Sequence, residues 1–147
     1  MKFKNPYSKV DQTKETNSNN LKIPDNTYIL DYLEKHPDHY VLILGSGNSK
    51  KISQRVINLD LMKSEPVDVI ASGLFLPFKP STFDAVFCHD VLEHVTQPFE
   101  VALEILRVTK TNGYIECSTP FVFPYHDAPD HYFNFSTSGI QQLFLGT

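Results

Sequence analysis

Two glycines and one acid carry the first chemical signal in the chain. The run YVLILGSG, Tyr40 to Gly47, is an apolar β-type stretch that breaks straight into a turn containing Gly45 and Gly47, and Asp60 closes the next apolar run, VINLD. Glycine lets the backbone turn sharply and bring its N–H groups close to a ligand, while a carboxylate at the tip of the neighbouring strand can accept both hydroxyls of a ribose. The pattern points to a nucleotide-type cofactor. Glycines also mark ordinary strand-to-loop turns, so the pair takes this meaning only from its surroundings. Two further groups are rich in side chains that move protons or bind metals: His89, Asp90, Glu93 and His94, then His126, Asp127, Asp130 and His131. Neither keeps the spacing that sets two metal ligands on one helix face, and the second contains Pro129, so no metal site is expected.

Five short apolar runs must position these residues: Tyr40 to Leu44, Val56 to Leu59, Val67 to Ile70, Ala85 to Cys88 and Tyr114 to Cys117. Their continuous apolar character predicts strands buried on both faces, as in a parallel sheet covered by helices. Ahead of them, Asp25 or Asn26 can cap a helix that places Ile29, Tyr32, Leu33 and His36 on one side and ends at Pro37. Between the fourth and fifth runs a helix is predicted with Thr96 or Gln97 as cap and Pro98 in its first turn. Phe99, Ala102, Leu103 and Leu106 form its apolar face, and Asn112-Gly113 stops it. This is one β-α-β unit. Asn48 to Arg55 is too short for a full crossover helix, which needs a dozen or more residues. STSGIQQLF begins like another capped helix.

Composition narrows the class. The chain has 147 residues, the size of one domain with a continuous core. Its 13 Lys and Arg against 17 Asp and Glu give a net charge of -4, with no basic excess to hold a phosphate backbone, so nucleic acid is not the favoured partner. Cys88 and Cys117 lie inside apolar runs and read as buried thiols of a reducing compartment, the cytoplasm being the simplest. No run approaches the length needed to cross a bilayer, and the polar start lacks a signal peptide's apolar segment. Residues 1–20, rich in Lys, Asn, Ser and Thr, are expected to form a loose tail ahead of one domain over 21–147.

The order of these signals, VLILGSG, VINLDL, the LPF of GLFLPFKPSTFDAV, FCHDVLEHV and LRVTKTNGYIECSTP, resembles the class I S-adenosylmethionine-dependent methyltransferases of the type 11 kind. The match runs from about Tyr40 to Leu145, and PYHDAPDHYFNFSTSGIQQLF is similar to a segment found in a subset of them. The resemblance implies a Rossmann-like α/β fold, a mostly parallel sheet in the order 3-2-1-4-5, with ligands at the switch point between the first and fourth strands. The usual last two strands do not follow, so the domain reads as C-terminally truncated. It implies S-adenosylmethionine as cofactor, its methionine portion held by backbone at Gly45, Ser46 and Gly47, its ribose by Asp60 with Leu61 beside it, its adenine by the turn Ser72, Gly73 and Leu74, with His89 at the crevice. The sequence departs from the family at Ile43 and Ser72, where acids are common, and at Ser49, where the first loop often has a third glycine.

Methyl transfer is an in-line displacement, and the protein mainly aligns the acceptor, adding a base only where a proton must leave. Candidates are His126, Asp127, Asp90 and His94, along with His89. His126 and Asp127 sit in the aromatic-rich PFVFPYHDAPDHYFNF, where Tyr125, Tyr132 and Phe135 can line an acceptor pocket. Glu93 and His94 also have a structural role open to them, anchoring the loop. The acceptor class expected is a small molecule, a sugar or a lipid-linked glycan. Lys50 stands where a dinucleotide fold needs its third glycine, which argues against a nicotinamide enzyme. A non-catalytic domain that binds or stabilises a partner is the alternative. The fifth strand would end the sheet as an open edge, which a homo- or hetero-oligomeric partner can cover.

Overall fold

The computed structural model describes residues 27–122 and 129–145. Its centre is a five-stranded, wholly parallel sheet in the order β3-β2-β1-β4-β5, built from β1 (Val41–Leu44), β2 (Val56–Asp60), β3 (Val69–Ile70), β4 (Phe83–His89) and β5 (Thr109–Ser118). All four residues of β1 are buried, as a central strand with apolar layers on both faces requires. Its two neighbours differ in origin. Val41 pairs with Val56 of the next strand on one side and with Ala85 of the fourth on the other, so the chain reverses direction across the sheet at β1 and β4.

Two apolar layers flank the sheet. On one face, Leu42, Leu44, Val86 and Cys88 meet Val101, Ala102, Ile105 and Val108 of α2 (Pro98–Val108) and Leu143 and Phe144 of α3 (Thr137–Leu145). On the other, Val41, Ile43, Val56, Ala85 and Phe87 are covered by Ile29 of α1 (Thr27–Lys35), with Tyr32 and Leu33 partly buried beside it. The helical spacing of these three residues is the one read from the sequence. The caps proposed at Asp25 and Asn26, and the tail at 1–20, lie outside the described residues.

Three expectations need correction. Helix α2 ends at Val108, not at Asn112-Gly113, because the chain passes directly into β5 and both residues lie within that strand. Asn112 holds φ +62 where the β4–β5 register shifts, so the pair marks an irregularity in a strand rather than a helix stop. Second, the buried face of α2 is Pro98, Val101, Ala102, Ile105 and Val108, whereas Phe99 is 59% and Leu103 42% exposed. Glu100, Glu104 and Arg107, at i, i+4 and i+7, form a charged stripe opposite the buried face, and Phe99 and Leu103 lie beside that stripe rather than on the side that meets the sheet. Third, Gln97 is the N-cap but makes no side-chain cap bond; Pro98, at the first turn, sets the start.

No helix separates β1 from β2 among the described residues, as the short connection required. The segment between β3 and β4 is likewise without a helix and is tied to α2 by charge instead. Arg107 donates to the carbonyls of Phe78 (2.8 Å) and Leu76 (2.9 Å) and to Glu104, whose Oε2 accepts from the Leu76 amide at 2.7 Å. The Arg107 guanidinium holds the Glu104 carboxyl below its usual range.

Candidate functional site

The first loop is shaped by its glycines. Gly45 has φ +74, and a Cβ added there would meet Val91 Cγ2 at 2.1 Å, so any side chain would collide with the loop after β4. Gly47, at φ +51, opens onto free space. The amides of Gly45 and Ser46 both donate to the Leu59 carbonyl, at 2.9 and 3.0 Å, which bends the loop over the end of β2. Asp60 completes the turn. Its Oδ2 accepts from the Gly47 amide at 2.8 Å and its Oδ1 from the Met62 amide at 3.0 Å. Each carboxylate oxygen keeps a free lone pair. Farther along, the Lys51 ammonium pairs with Asp68 and donates to the Val56 carbonyl, and Asn58 Nδ2 donates to the Ser49 carbonyl at 3.2 Å. These contacts hold the helix-free connection in place.

The turn at Ser72 adjoins this acid. Ala71 donates to the Asp60 carbonyl at 3.0 Å, and Ser72 Oγ accepts from the Leu74 amide at 3.2 Å. Gly73 lies against Leu44 and Val101. Gly45, Ser46, Gly47, Asp60 and the Ser72–Gly73–Leu74 turn thus follow one another along the carboxyl edge of β1, β2 and β3. Leu61 is 70% exposed beside them.

A cleft of about 680 Å³ opens beside the loop, between it, α1 and the end of β4. Gly45, Ser46 and Gly47 form one wall, Tyr28 and Leu30 of α1 another, and Phe87, His89 and Asp90 the floor. Asp60 and the Ser72 turn lie outside this cleft, on the β2 and β3 side of the glycines. Ser46 is 3% exposed, and its Oγ has no hydrogen-bond partner among the described residues, an orphan that a polar ligand can satisfy.

His89 ends β4 on the same face as Phe87. Its ring lies 4.7 Å from that of Tyr28, and its Nε2 is 3.3 Å from Oε1 of Glu116 on β5, although this pair lacks hydrogen-bond geometry. Tyr114, two residues earlier on β5, donates its hydroxyl to Glu116 Oε2. Burial, and then that bond to Glu116, raise the Tyr114 hydroxyl far above its usual range, so it remains a donor. Asp90 follows at φ +54 and donates its amide to the Ser118 carbonyl at 2.9 Å. Sequence reading passed over Tyr28, Tyr114 and Glu116. The alternation Tyr114, Glu116, Ser118 was the available signal, since period two puts those side chains on one face of a strand.

The VLEHV turn has another use. Glu93 is 1% exposed, its carbonyl accepts from the amides of Tyr132 (2.7 Å) and Phe133 (3.3 Å), and His94 Nδ1 lies 2.8 Å from the Asp130 carbonyl. These contacts fasten the segment after residue 128, the anchoring role read for Glu93 and His94. His94 does not line the cleft. Burial pushes the Glu93 carboxyl up to about 7, the Asp90 charge adding to it. His126, Asp127 and Tyr125 lie outside the described residues; Phe135 packs against the core and Tyr132 bonds to Asp130. Among the described residues no three His, Cys, Asp or Glu side chains converge as a metal site.

A family model described as a methyltransferase domain matches residues 26–117, which contain four of the strands, all but the last residue of the fifth, and Gly45, Gly47, Asp60 and Gly73. An uncharacterized methyltransferase of Schizosaccharomyces pombe is 48% identical over 42 residues, 29% of this chain and 15% of that protein. One from Mycobacterium leprae is 44% identical over 50 residues, 34% of this chain and 19% of its own. The matched stretches thus span under a fifth of these relatives. Among solved structures, the YcgJ protein of Bacillus subtilis superposes with TM-score 0.60 at 19% identity, over 82% of this chain and 67% of that one. The [4+2]-cyclase SpnF gives TM-score 0.57 at 16% identity, over 72% and 48%.

Proposed function

The chain belongs to the methyltransferase-domain family, and from that premise we propose that it catalyses S-adenosylmethionine-dependent methyl transfer to a small-molecule, sugar or lipid-linked acceptor. The observation that carries the cofactor assignment is the bond between the Gly47 amide and Asp60. It joins the glycine turn at the end of β1 to the acid at the end of β2, next to the strand order's reversal between β1 and β4, where open α/β sheets bind ligands. The residues fit the group. The orphaned Ser46 Oγ would take a polar group of its methionine portion, the free lone pairs of Asp60 would suit its ribose hydroxyls, and the Ser72 turn would suit its adenine. When bound, S-adenosylmethionine supplies an activated methyl group on a sulfonium sulfur. The protein's part is to hold the acceptor in line and exclude water.

The fold alone does not choose the chemistry, because SpnF, a cyclase, shares it. A second reading, a non-catalytic domain that binds a partner, is favoured by one feature: the outer edge of β5, Thr109–Ser118, has no strand beside it among the described residues. Calorimetric titration separates the two. The methyltransferase reading expects saturable binding of S-adenosylmethionine and S-adenosylhomocysteine, weakened about tenfold or more in Asp60→Ala through loss of charge-assisted hydrogen bonds. No binding at high ligand concentration favours the partner-binding reading. Undiminished binding in Asp60→Ala keeps the cofactor and removes the ribose contact.

A further inference from the structure

We infer that His89 is the base that takes the acceptor's proton in the cleft beside α1, and that Glu116 is the positioning residue that holds it, so that the acceptor is a proton-bearing nucleophile, a hydroxyl or an amine. The inference rests on the methyl-transfer reading and deepens it.

The geometry is a chain of three side chains across two strands. His89 sits at the floor of the cleft, its side chain 12% exposed, with Nε2 3.3 Å from a Glu116 carboxylate that is itself 11% exposed. Tyr114 donates to the far oxygen of that carboxylate. Tyr114 therefore fixes one oxygen of the carboxylate and leaves the other beside the imidazole, the place of the carboxylates that orient catalytic imidazoles. With Nε2 turned to Glu116, Nδ1 is the nitrogen left to meet a ligand. The groups around the ring are Glu116 of β5, Tyr28 of α1 and Asp90 on the loop that follows, while Lys50 and Lys51 line the same cleft from the first loop. In the transfer step, an adjacent carboxylate stabilises the imidazolium that forms as the base takes the proton.

The step balances without any further reactant. As the acceptor's lone pair forms its bond to the methyl carbon, the carbon–sulfur bond breaks with its electron pair left on sulfur. The acceptor's proton passes to Nδ1, giving an imidazolium beside the Glu116 carboxylate, and later leaves to water. Asp90 and His94 are not required in this role.

The test uses the full chain and needs no acceptor. Diethylpyrocarbonate acylates a reachable, unprotonated imidazole nitrogen, so its rate of reaction with His89 at one fixed pH, read by mass spectrometry of the His89 peptide, reports how that ring is held and reached. The expected result has three parts: His89 reacts in the folded protein, its rate changes several-fold in Glu116→Gln, where the carboxylate beside Nε2 is gone, and saturating S-adenosylhomocysteine slows its reaction several-fold. Glu116→Asp, which keeps the carboxylate but draws it back, changes the rate less and serves if Glu116→Gln does not fold. An unreactive His89, a rate that ignores both substitutions, or a His89 unprotected in protein that calorimetry shows to bind S-adenosylhomocysteine overturns this inference alone. Failure of calorimetric binding overturns the methyl-transfer reading, and the acceptor role with it.

Discussion

The two faces of the sheet are packed to different ends. Under α2 and α3 the core is dry and continuous: Leu42, Val86, Val101, Ala102, Ile105 and Val108 are all fully buried. Under α1, one helix of nine residues covers the strands among the described residues. There the layer between helix and sheet mixes Ile29, Ile43 and Phe87 with Tyr28, Tyr32, Tyr114, His89 and Glu116. The cleft opens on this second face. Close packing leaves no room for a ligand and no reason to keep a polar group, so chemistry collects where the cover is thin.

That contrast can be broken by substitution. Ile105→Ala, on the dry face, is expected to cost about 2–5 kcal/mol, because a cavity there has no way to collapse. Ile29→Ala, on the other face, should cost less, about 2 kcal/mol, because the partly buried Tyr32 and Leu33 beside it can relax. Urea midpoints compare the two directly, and equal losses would refute the distinction.

Glu93 gives the next largest effect, and it depends on pH. Its carboxyl rises from 4.5 to about 7 in the folded protein through burial. The native state therefore keeps a proton that the unfolded chain has released, so this contribution is complete below about pH 4.5 and is lost as pH rises towards 7. The loss is on the order of 3 kcal/mol. Unfolding free energies of Glu93→Gln, measured across that window, should lack this decline. A parallel decline in both proteins would remove Glu93 from the explanation.

Gly45→Ala tests the seam between the faces, where the first loop meets Val91. It should cost about 1–3 kcal/mol, from the positive φ and from the collision with Val91 Cγ2. Adding Val91→Ala relieves the collision but not the φ, so thermal melting should show partial recovery; full recovery would mean that φ is not strained. The smallest effect is expected at Lys110→Ala. Its ammonium bonds Asp84 Oδ1 at 2.8 Å, but it is 42% exposed, and such a pair contributes under about 1 kcal/mol.

Much of this was legible in the sequence. The strands followed from continuous apolar runs and their order from the family resemblance, and the eight residues from Asn48 to Arg55 correctly excluded a helix. The glycine turn and Asp60 were found because each needs a particular residue type. What failed to show depended on tertiary choice. The outward turn of Phe99 and Leu103 was hidden because the two residues border the charged stripe of Glu100, Glu104 and Arg107 and carry the apolar surface past the face that the sheet covers. Asn112-Gly113 carried a helix-stop signal but served a strand irregularity. Val67 and Asp68 read as part of β3, yet the ladder forms only at Val69 and Ile70, while Asp68 instead accepts from the Asn58 amide and pairs with Lys51. The Glu116 partner of His89 was invisible because the two residues meet only when β4 and β5 pair.

The absence of helices between the first three strands also bears on how the domain assembles. The β1–β2 pairing, Val41 with Val56, and the β2–β3 pairing, Leu59 with Val69, join residues close in sequence, whereas β1–β4 joins Val41 to Ala85. Loop-closure entropy rises with the logarithm of the span, so the last of these costs about 1 kcal/mol more than the first before any contact repays it. Long-range parallel pairings are the slow step in folds of this kind. The cleft straddles that junction, with glycines from one side of it and His89 from the other. It therefore comes into being with the final closure of the sheet, and a partly assembled chain has the glycine turn and Asp60 but no cleft floor.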